Sequence, residues 1–495
     1  MTDLRGGAGK RPAFFDSDFC AASRRRLVLI AAVLASALGF IDGTVVAIAL
    51  PAMRDSLGAG LAGAQWISNA YMLPLGALIL VGGAAGDRFG LGRIFAGGIA
   101  LFVIASLFCA VAPTTETLIA ARVAQGIGAA FMVPGSLAII SRTYPREERG
   151  RAIGIWAAAS AMTTALGPII GGLVLSFGGP ETWRLIFAVN LPLGALALWL
   201  LWRSVERDKP RTDRPLDVPG ALLATLGLGL VAWALTGSEH GDDTAPQMLP
   251  LAVGFAALLA FVAVEARSAH PMVPLALFKS RVFSAANLLT FTLYFGLSAL
   301  LFYLPMTVIG GWGLHEATVS LTLVPLTVFI SAMSGPVGSW ADRVGPGLPI
   351  GIGAALVAIA QVAIALGMPY QNFWGLLFPA MCLFGLGMGF VVSPLSTAVM
   401  GAVDEEASGT ASGVNNAVAR VAGLIAVAAM GGVAAAAYDA ASGSAGFGSL
   451  SAEPGHAAAS STAFAAVAWA TAGLSALSAL VAFFGIRDKA AQTGS

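Results

Sequence analysis

The sequence predicts an all-α membrane protein of fourteen transmembrane helices, built as two six-helix bundles with two further helices inserted between them. Three observations carry that prediction. Of the 495 residues, 57% are hydrophobic and only 11% are charged, with a mean hydropathy of +0.83. Soluble domains carry about 25% charged residues, so too little polar surface remains to coat a water-soluble core. Fourteen apolar stretches are each long enough for a bilayer core of about 30 Å, which takes about 20 helical residues. Finally, two loop sequences recur 255 residues apart, as a duplicated chain requires.

A basic arm, residues 1–26, precedes the first stretch, 27–50, which carries Asp42 in its interior. That stretch is too long for a cleaved leader and has no small-residue cleavage site. Stretches 65–83, 91–112, 118–140, 152–177 and 183–202 complete a first bundle, 27–203. The segment 204–280 holds a hydrated arm at 206–215 and two more stretches, 218–235 and 248–264. A second bundle, 281–486, contains 282–309, 317–340, 348–367, 373–400, 409–437 and 462–486, and a polar tail, 487–495, follows.

Basic residues orient the spans. With the N-terminus in the cytoplasm, 23 of the 27 Lys and Arg residues fall on that side. Arg54 and Arg184 fall outside, and Arg122 and Arg420 lie within spans. Miscounting one span would destroy this asymmetry, so both termini are expected in the cytoplasm, with the chain in the inner membrane. The duplication is read from Gly83-Ala-Ala-Gly-Asp87-Arg88-Phe-Gly90-Leu-Gly92 against Gly338-Ser-Trp-Ala-Asp342-Arg343-Val-Gly345-Pro-Gly347. Glu147-Glu148 against Glu405-Glu406 forms a second pair. Parallel halves put a binding site between them near the midplane, reached alternately from each side.

Several functions are excluded. A net charge of +1 from 27 basic and 26 acidic residues gives no reason to expect nucleic acid. Cys20, Cys109 and Cys382 are far apart and share no ligand spacing. His240, His270, His315 and His456 fall in loops or at span ends, apart from one another. No catalytic constellation, metal site or phosphate-binding Gly-rich loop is expected, hence no enzyme and no cofactor. A monomer in the lipid bilayer is the expected state, acting on protons and a small-molecule substrate.

Several motifs resemble one family. Gly83, Gly86-Asp87-Arg88-Phe-Gly90-Leu-Gly92-Arg93 looks like the loop between the second and third helices of the major facilitator superfamily. Phe40-Ile-Asp42-Gly-Thr44 through Leu50-Pro51 resembles the first-helix motif of its fourteen-span drug–proton antiporter branch. Arg122-Val-Ala-Gln125-Gly126-Ile-Gly128 resembles the fourth-helix motif, and Gly167-Pro168-Ile-Ile-Gly171-Gly172 the fifth-helix antiporter motif. Trp183-Arg184 through Asn190-Leu-Pro192, and Asn415-Asn416 through Arg420, fit the same branch. Ala47, Thr163 and Leu348 depart from its usual pattern. The resemblance implies the major facilitator fold and proton-driven export of small lipophilic or cationic compounds, such as drugs or antibiotics. A dedicated exporter of one metabolite and a proton-coupled uptake symporter are the alternatives, the latter disfavoured by the fifth-helix motif.

The residues themselves sharpen this. Asp42, Arg122 and Arg420 lie deep in spans, where an ionisable group costs several kcal/mol unless paired or hydrated. Asp42 lies about 12 Å and Arg122 about 9 Å from the same face, at 1.5 Å per residue. Asp42 is expected to carry the proton and Arg122 to tune it, since burial favours the neutral acid and a guanidinium the carboxylate; a permanent structural ion pair is the rival. Arg420 shares a helical face with Asn416 and either contacts substrate or stitches helices together. Asp87 and Asp342, read as lying in Gly-rich turns beside Arg88, Arg93 and Arg343, are expected to gate or anchor that face. Gln65, Asn69, Tyr71, Gln125, Asn190, Asn287, Tyr294, Ser393 and Asn415 are expected along the cavity. One proton falling through about 150 mV releases roughly 3.5 kcal/mol, enough for a gradient of about a few hundred-fold.

Overall fold

The computed structural model describes residues 19–178, 181–206, 216–236, 245–404 and 407–486. Within them lie fourteen helices long and apolar enough to cross a membrane. The first six are α1 Ala22–Leu57, α2 Leu61–Phe89, α3 Leu91–Ala110, α4 Thr115–Thr143, α5 Arg146–Ser176 and α6 Arg184–Ser204. Next come α7 Val218–Thr236 and α8 Gln247–Arg267. The last six are α9 Arg281–Gly311, α10 Glu316–Val344, α11 Gly347–Tyr370, α12 Phe373–Gly401, α13 Ser408–Ala440 and α14 His456–Gly485. Each helix matches one expected stretch to within a few residues, and most overrun it because polar end residues extend the backbone ladder beyond the apolar segment. At the start of α4, for example, Thr114 and Thr117 exchange side-chain and backbone hydrogen bonds as a capping box. The arm at 207–215, Glu405–Glu406, His240 and both terminal tails lie outside the described residues.

Successive connections alternate between two faces. The start of α1 shares one face with the turns at Gly90, Tyr144 and Gly345; this is called the basic face, and the opposite one the far face. Here one expectation is corrected. Asp87, Arg88, Asp342 and Arg343 belong to the last turns of α2 and α10 rather than to the Gly-rich turns. The turns are made by Gly90 at φ 104° and Gly345 at φ 83°, a left-handed region that a Cβ disfavours. Each helix therefore persists until the glycine stops it. At a helix C-terminus the partial negative charge favours the arginines over the aspartates.

In the first bundle, α2 and α3 pack on α4, and α1 on α5 and α6; in the second, α11 packs on α12 and α14, and α9 on α13 and α14. The duplication extends to packing. A Cβ at Gly98 or at Gly128 would come within 2.9 Å of the other's carbonyl oxygen, so α3 and α4 cross backbone to backbone. Gly353 and Gly387 repeat that crossing between α11 and α12, at 2.5 and 2.7 Å. Small residues that let backbones approach are what holds helices together in lipid, where apolar burial gives no net pull.

The bundles meet along two seams, α2 on α13 and α5 on α10. The inserted helix α7 lies in the first seam, where Leu228 and Ala232 pack with Ala77 of α2 and with Leu424 and Ala428 of α13. Its partner α8 packs on α7 and exposes Met248, Leu249 and Leu259 outward. The second seam is made chiefly by the first two turns of α10, residues 316–323, where the Ala317 N–H donates to Ser176 Oγ at 3.1 Å. Near the far face, Arg54 at the end of α1 also donates to the Phe447 carbonyl of the second bundle at 2.7 Å. Beyond those first two turns α10 makes fewer contacts with α5.

Candidate functional site

Three helices of the first bundle converge on one buried charge pair. Asp42 of α1 is 1% exposed and Arg122 of α4 is 2% exposed. Arg122 Nη1 donates to Asp42 Oδ2 at 2.6 Å, and Gln125 Nε2 donates to Asp42 Oδ1 at 2.9 Å, so both carboxylate oxygens are satisfied. Gln125 stands three residues from Arg122 on α4, one turn away, and also accepts from Arg122 Nη1 at 2.6 Å. The Arg122 Nε–H donates to the Ile67 carbonyl of α2 at 3.0 Å. Tyr71, one turn further along α2, lays its ring 4.4 Å from the guanidinium, and Phe187 closes the other side at 5.7 Å. A buried pair satisfied in this way is stable only while whole: removing one partner costs about 3–5 kcal/mol.

The network continues through Ser106 of α3, which accepts from Gln125 at 2.9 Å and from Asn190 Nδ2 at 3.2 Å. Thus Asp42, Arg122, Gln125, Asn190 and Tyr71 come together, whereas the other candidates do not join them. Gln65 spans the two bundles, donating to the Val427 carbonyl at 2.5 Å beside the Tyr303 hydroxyl, and so acts as a stitch. Asn69 is fully buried with neither amide atom partnered. Asn415 Nδ2 donates to Asn287 Oδ1 at 3.2 Å and Thr290 Oγ1 at 2.7 Å, forming a separate polar cluster between α9 and α13. Ser393 faces α10, where a Cβ at Gly338 would reach it at 3.1 Å. Tyr294 and Arg420 are half-buried and Asn416 is exposed.

The fifth-helix motif works on two surfaces. Gly167 and Gly171 face α1: a Cβ at Gly171 would meet Val45 at 2.4 Å, and one at Gly167 would meet Ile41 and Thr44 at 3.5 Å. Gly172 faces the other bundle, within 2.8 Å of the Glu316 carbonyl on the same measure. Pro168 is buried between them. At the basic face Arg88 stacks on Phe89 at 5.3 Å, and Arg25 pairs with Glu148 at 3.7 Å. At the far face the Ser56 hydroxyl and Arg184 hold the exposed Glu181 carboxyl below its ordinary range.

Sequence reasoning missed Ser106, Tyr303, the Ile67 carbonyl and the Arg54 clamp. Ser106 also bonds its own Phe102 carbonyl at 2.8 Å, as membrane serines commonly do, so no pattern distinguishes it. Arg54 did carry a signal, as one of two basic residues outside the spans on the sparse face.

Comparison with known proteins agrees with the fold. A family model described as Major Facilitator Superfamily matches residues 32–427. The methylenomycin A resistance protein of Streptomyces coelicolor is 31% identical over 440 residues, covering 87% of this chain and 90% of its own. The puromycin resistance protein pur8 of Streptomyces alboniger is 34% identical over 414 residues, covering 82% and 81%. Among solved structures, a bacterial homologue of the human lysosomal transporter Spinster superposes with a TM-score of 0.65 at 17% identity, covering 94% of this chain and 98% of that one.

Proposed function

The chain belongs to the major facilitator superfamily, and from that premise we propose that it is a proton-coupled antiporter exporting small lipophilic compounds, drugs or antibiotics among them, from the cytoplasm. It is a multi-pass membrane protein, and a transporter rather than an enzyme. In this reading the basic face is cytoplasmic and the chain sits in the inner membrane as a monomer. The bundles 27–203 and 281–486 rock against each other, joined through 204–280. The names of the relatives, resistance and export proteins, support the direction of transport.

The observation that carries the coupling is the position of Asp42 relative to the far-face seal. Asp42 lies three residues from Val45, Val45 packs on Gly171, and the next residue, Gly172, abuts α10 at Glu316. In the present conformation Asp42 is buried, with both carboxylate oxygens accepting hydrogen bonds. Protonation removes an acceptor from Arg122 and Gln125 and loosens α1 from α4. Arg122 is not stranded by this: it keeps the Ile67 carbonyl, Gln125 Oε1 and the Tyr71 ring. Loosening α1 frees the Val45–Gly171 contact, and with it the α5–α10 seal. Asp87 and Asp342, with their arginines, act at the basic face as gate elements in the opposite half of the cycle.

The test is Asp42→Asn in everted vesicles under an imposed pH gradient. Export falls to background, while the purified variant keeps its fold and binds substrate. Undiminished gradient-driven export by the variant removes Asp42 from the coupling. A narrower cargo, one antibiotic, is the second reading, favoured by relatives named after single compounds.

A further inference from the structure

The second bundle holds a guanidinium that the coupling network does not use. Arg420 stands 12 residues into α13 from Ser408, about 18 Å deep at 1.5 Å per residue. Its Cβ lies over Gly76 of α2, where an added Cβ would meet it at 3.2 Å. The rest of the side chain is half-buried, within electrostatic reach of Tyr71 and Tyr294. Among the described residues Arg420 makes no ion pair and no hydrogen bond. Asn416, one turn earlier on the same face, is exposed, and among the described residues neither it nor either tyrosine hydroxyl has a hydrogen-bond partner.

The guanidinium can only donate, while the two phenols and the amide can each turn a donor toward the same ligand. Asp42 is the carboxylate at comparable depth, and Arg122 and Gln125 already satisfy it. Arg420 has no ion-pair partner among the described residues, so its charge at this depth is uncompensated there. An uncompensated charge at this depth marks a functional site by default. The guanidinium fork matches a planar two-oxygen anion and binds it bidentately.

We propose that Arg420 anchors an ionised acid group, a carboxylate carried on an apolar body, of the compound this protein exports, with Asn416, Tyr71 and Tyr294 as supporting donors. The inference rests on the export reading and narrows it to acid-bearing cargo. It assigns Arg420 to substrate, not to helix stitching.

Three probes sharing one fluorophore test it: dansylglycine with a carboxylate, dansylglycinamide without charge, and dansylcadaverine as a cation. On the purified full-length protein in nanodiscs, dansylglycine binds at least about tenfold more tightly than the amide, the scale of a hydrogen-bonded charge. Arg420→Gln abolishes that preference and leaves the affinity for dansylglycinamide unchanged, and Arg420→Lys keeps part of it. Equal binding of the three probes, or equal loss of all three in Arg420→Gln, overturns the assignment. Transport in proteoliposomes under a pH gradient separates the two readings. Selective binding of dansylglycine with no export of any probe upholds the acid site and sinks the export reading. Export of the amide or the cation, with no preference for dansylglycine, does the reverse.

Discussion

Arg122 and Arg420 are the same side chain at membrane depth in the two bundles, and their surroundings are opposite. Arg122 is sealed among α1, α2 and α4, with Asp42, Gln125, a backbone carbonyl and two rings around its guanidinium. Arg420 stands half-buried where α13 meets α2, with no acceptor among the described residues. Because a guanidinium does not lose its proton in proteins, the difference lies wholly in the partners. The neutralised site can respond to a proton arriving at Asp42. The open one can respond only to an anion arriving from outside the protein. On the proposed function, each bundle supplies one half of an exchange.

The comparison can be broken most severely at Arg122. Arg122→Ala leaves Asp42 buried without its counter-ion, and thermal unfolding in detergent registers a loss of about 3–5 kcal/mol. Arg420→Ala, with no partner to strand, stays within about 1 kcal/mol of the parent. Comparable losses at both positions erase the distinction. Next in size is the mechanical link from the sealed site. Gly171→Ala drives a methyl against Val45 and destabilises by about 1–3 kcal/mol. Gly154→Ala on the same helix meets nothing within 4 Å and serves as the silent control.

A smaller effect sharpens the contrast by making the open site resemble the closed one. Asn416→Asp sets an acid one turn from Arg420, so the carboxylate preference seen with the dansyl probes drops by about tenfold while binding of the neutral probe holds. An unchanged preference places the anion elsewhere. The smallest effect is at the far face. Arg54→Gln removes the bond to the Phe447 carbonyl and shifts the balance by about 1 kcal/mol away from the sealed far face. A maleimide at a far-face cysteine reads this as faster labelling, and unaltered labelling excludes Arg54 from the seal.

Much of this was legible in the sequence. Asp42 and Arg122 stood out because charged residues in apolar stretches are rare, and rise per residue put them at one depth. Gln125 was visible as a polar neighbour, although its bridging of both charges was not. Gln65 was read as a cavity residue by polarity alone, and the fold uses it to tie α2 to the Val427 carbonyl 362 positions away. The aspartates of the duplicated loop looked like turn residues because glycines crowd around them; only backbone dihedrals assign the turn to Gly90 and Gly345.

The sequence by itself determined the number and order of the spans, their duplication and the charges held at depth. Those are local properties, because a segment in hydrocarbon must satisfy its backbone groups within itself. Only the tertiary structure decided which of the deep charges has a partner, that α7 fills the α2–α13 seam, and that Gly172 abuts the opposite bundle. Helices in lipid feel little apolar pull toward one another, so their neighbours are chosen by close contacts and hydrogen bonds between residues far apart in the chain.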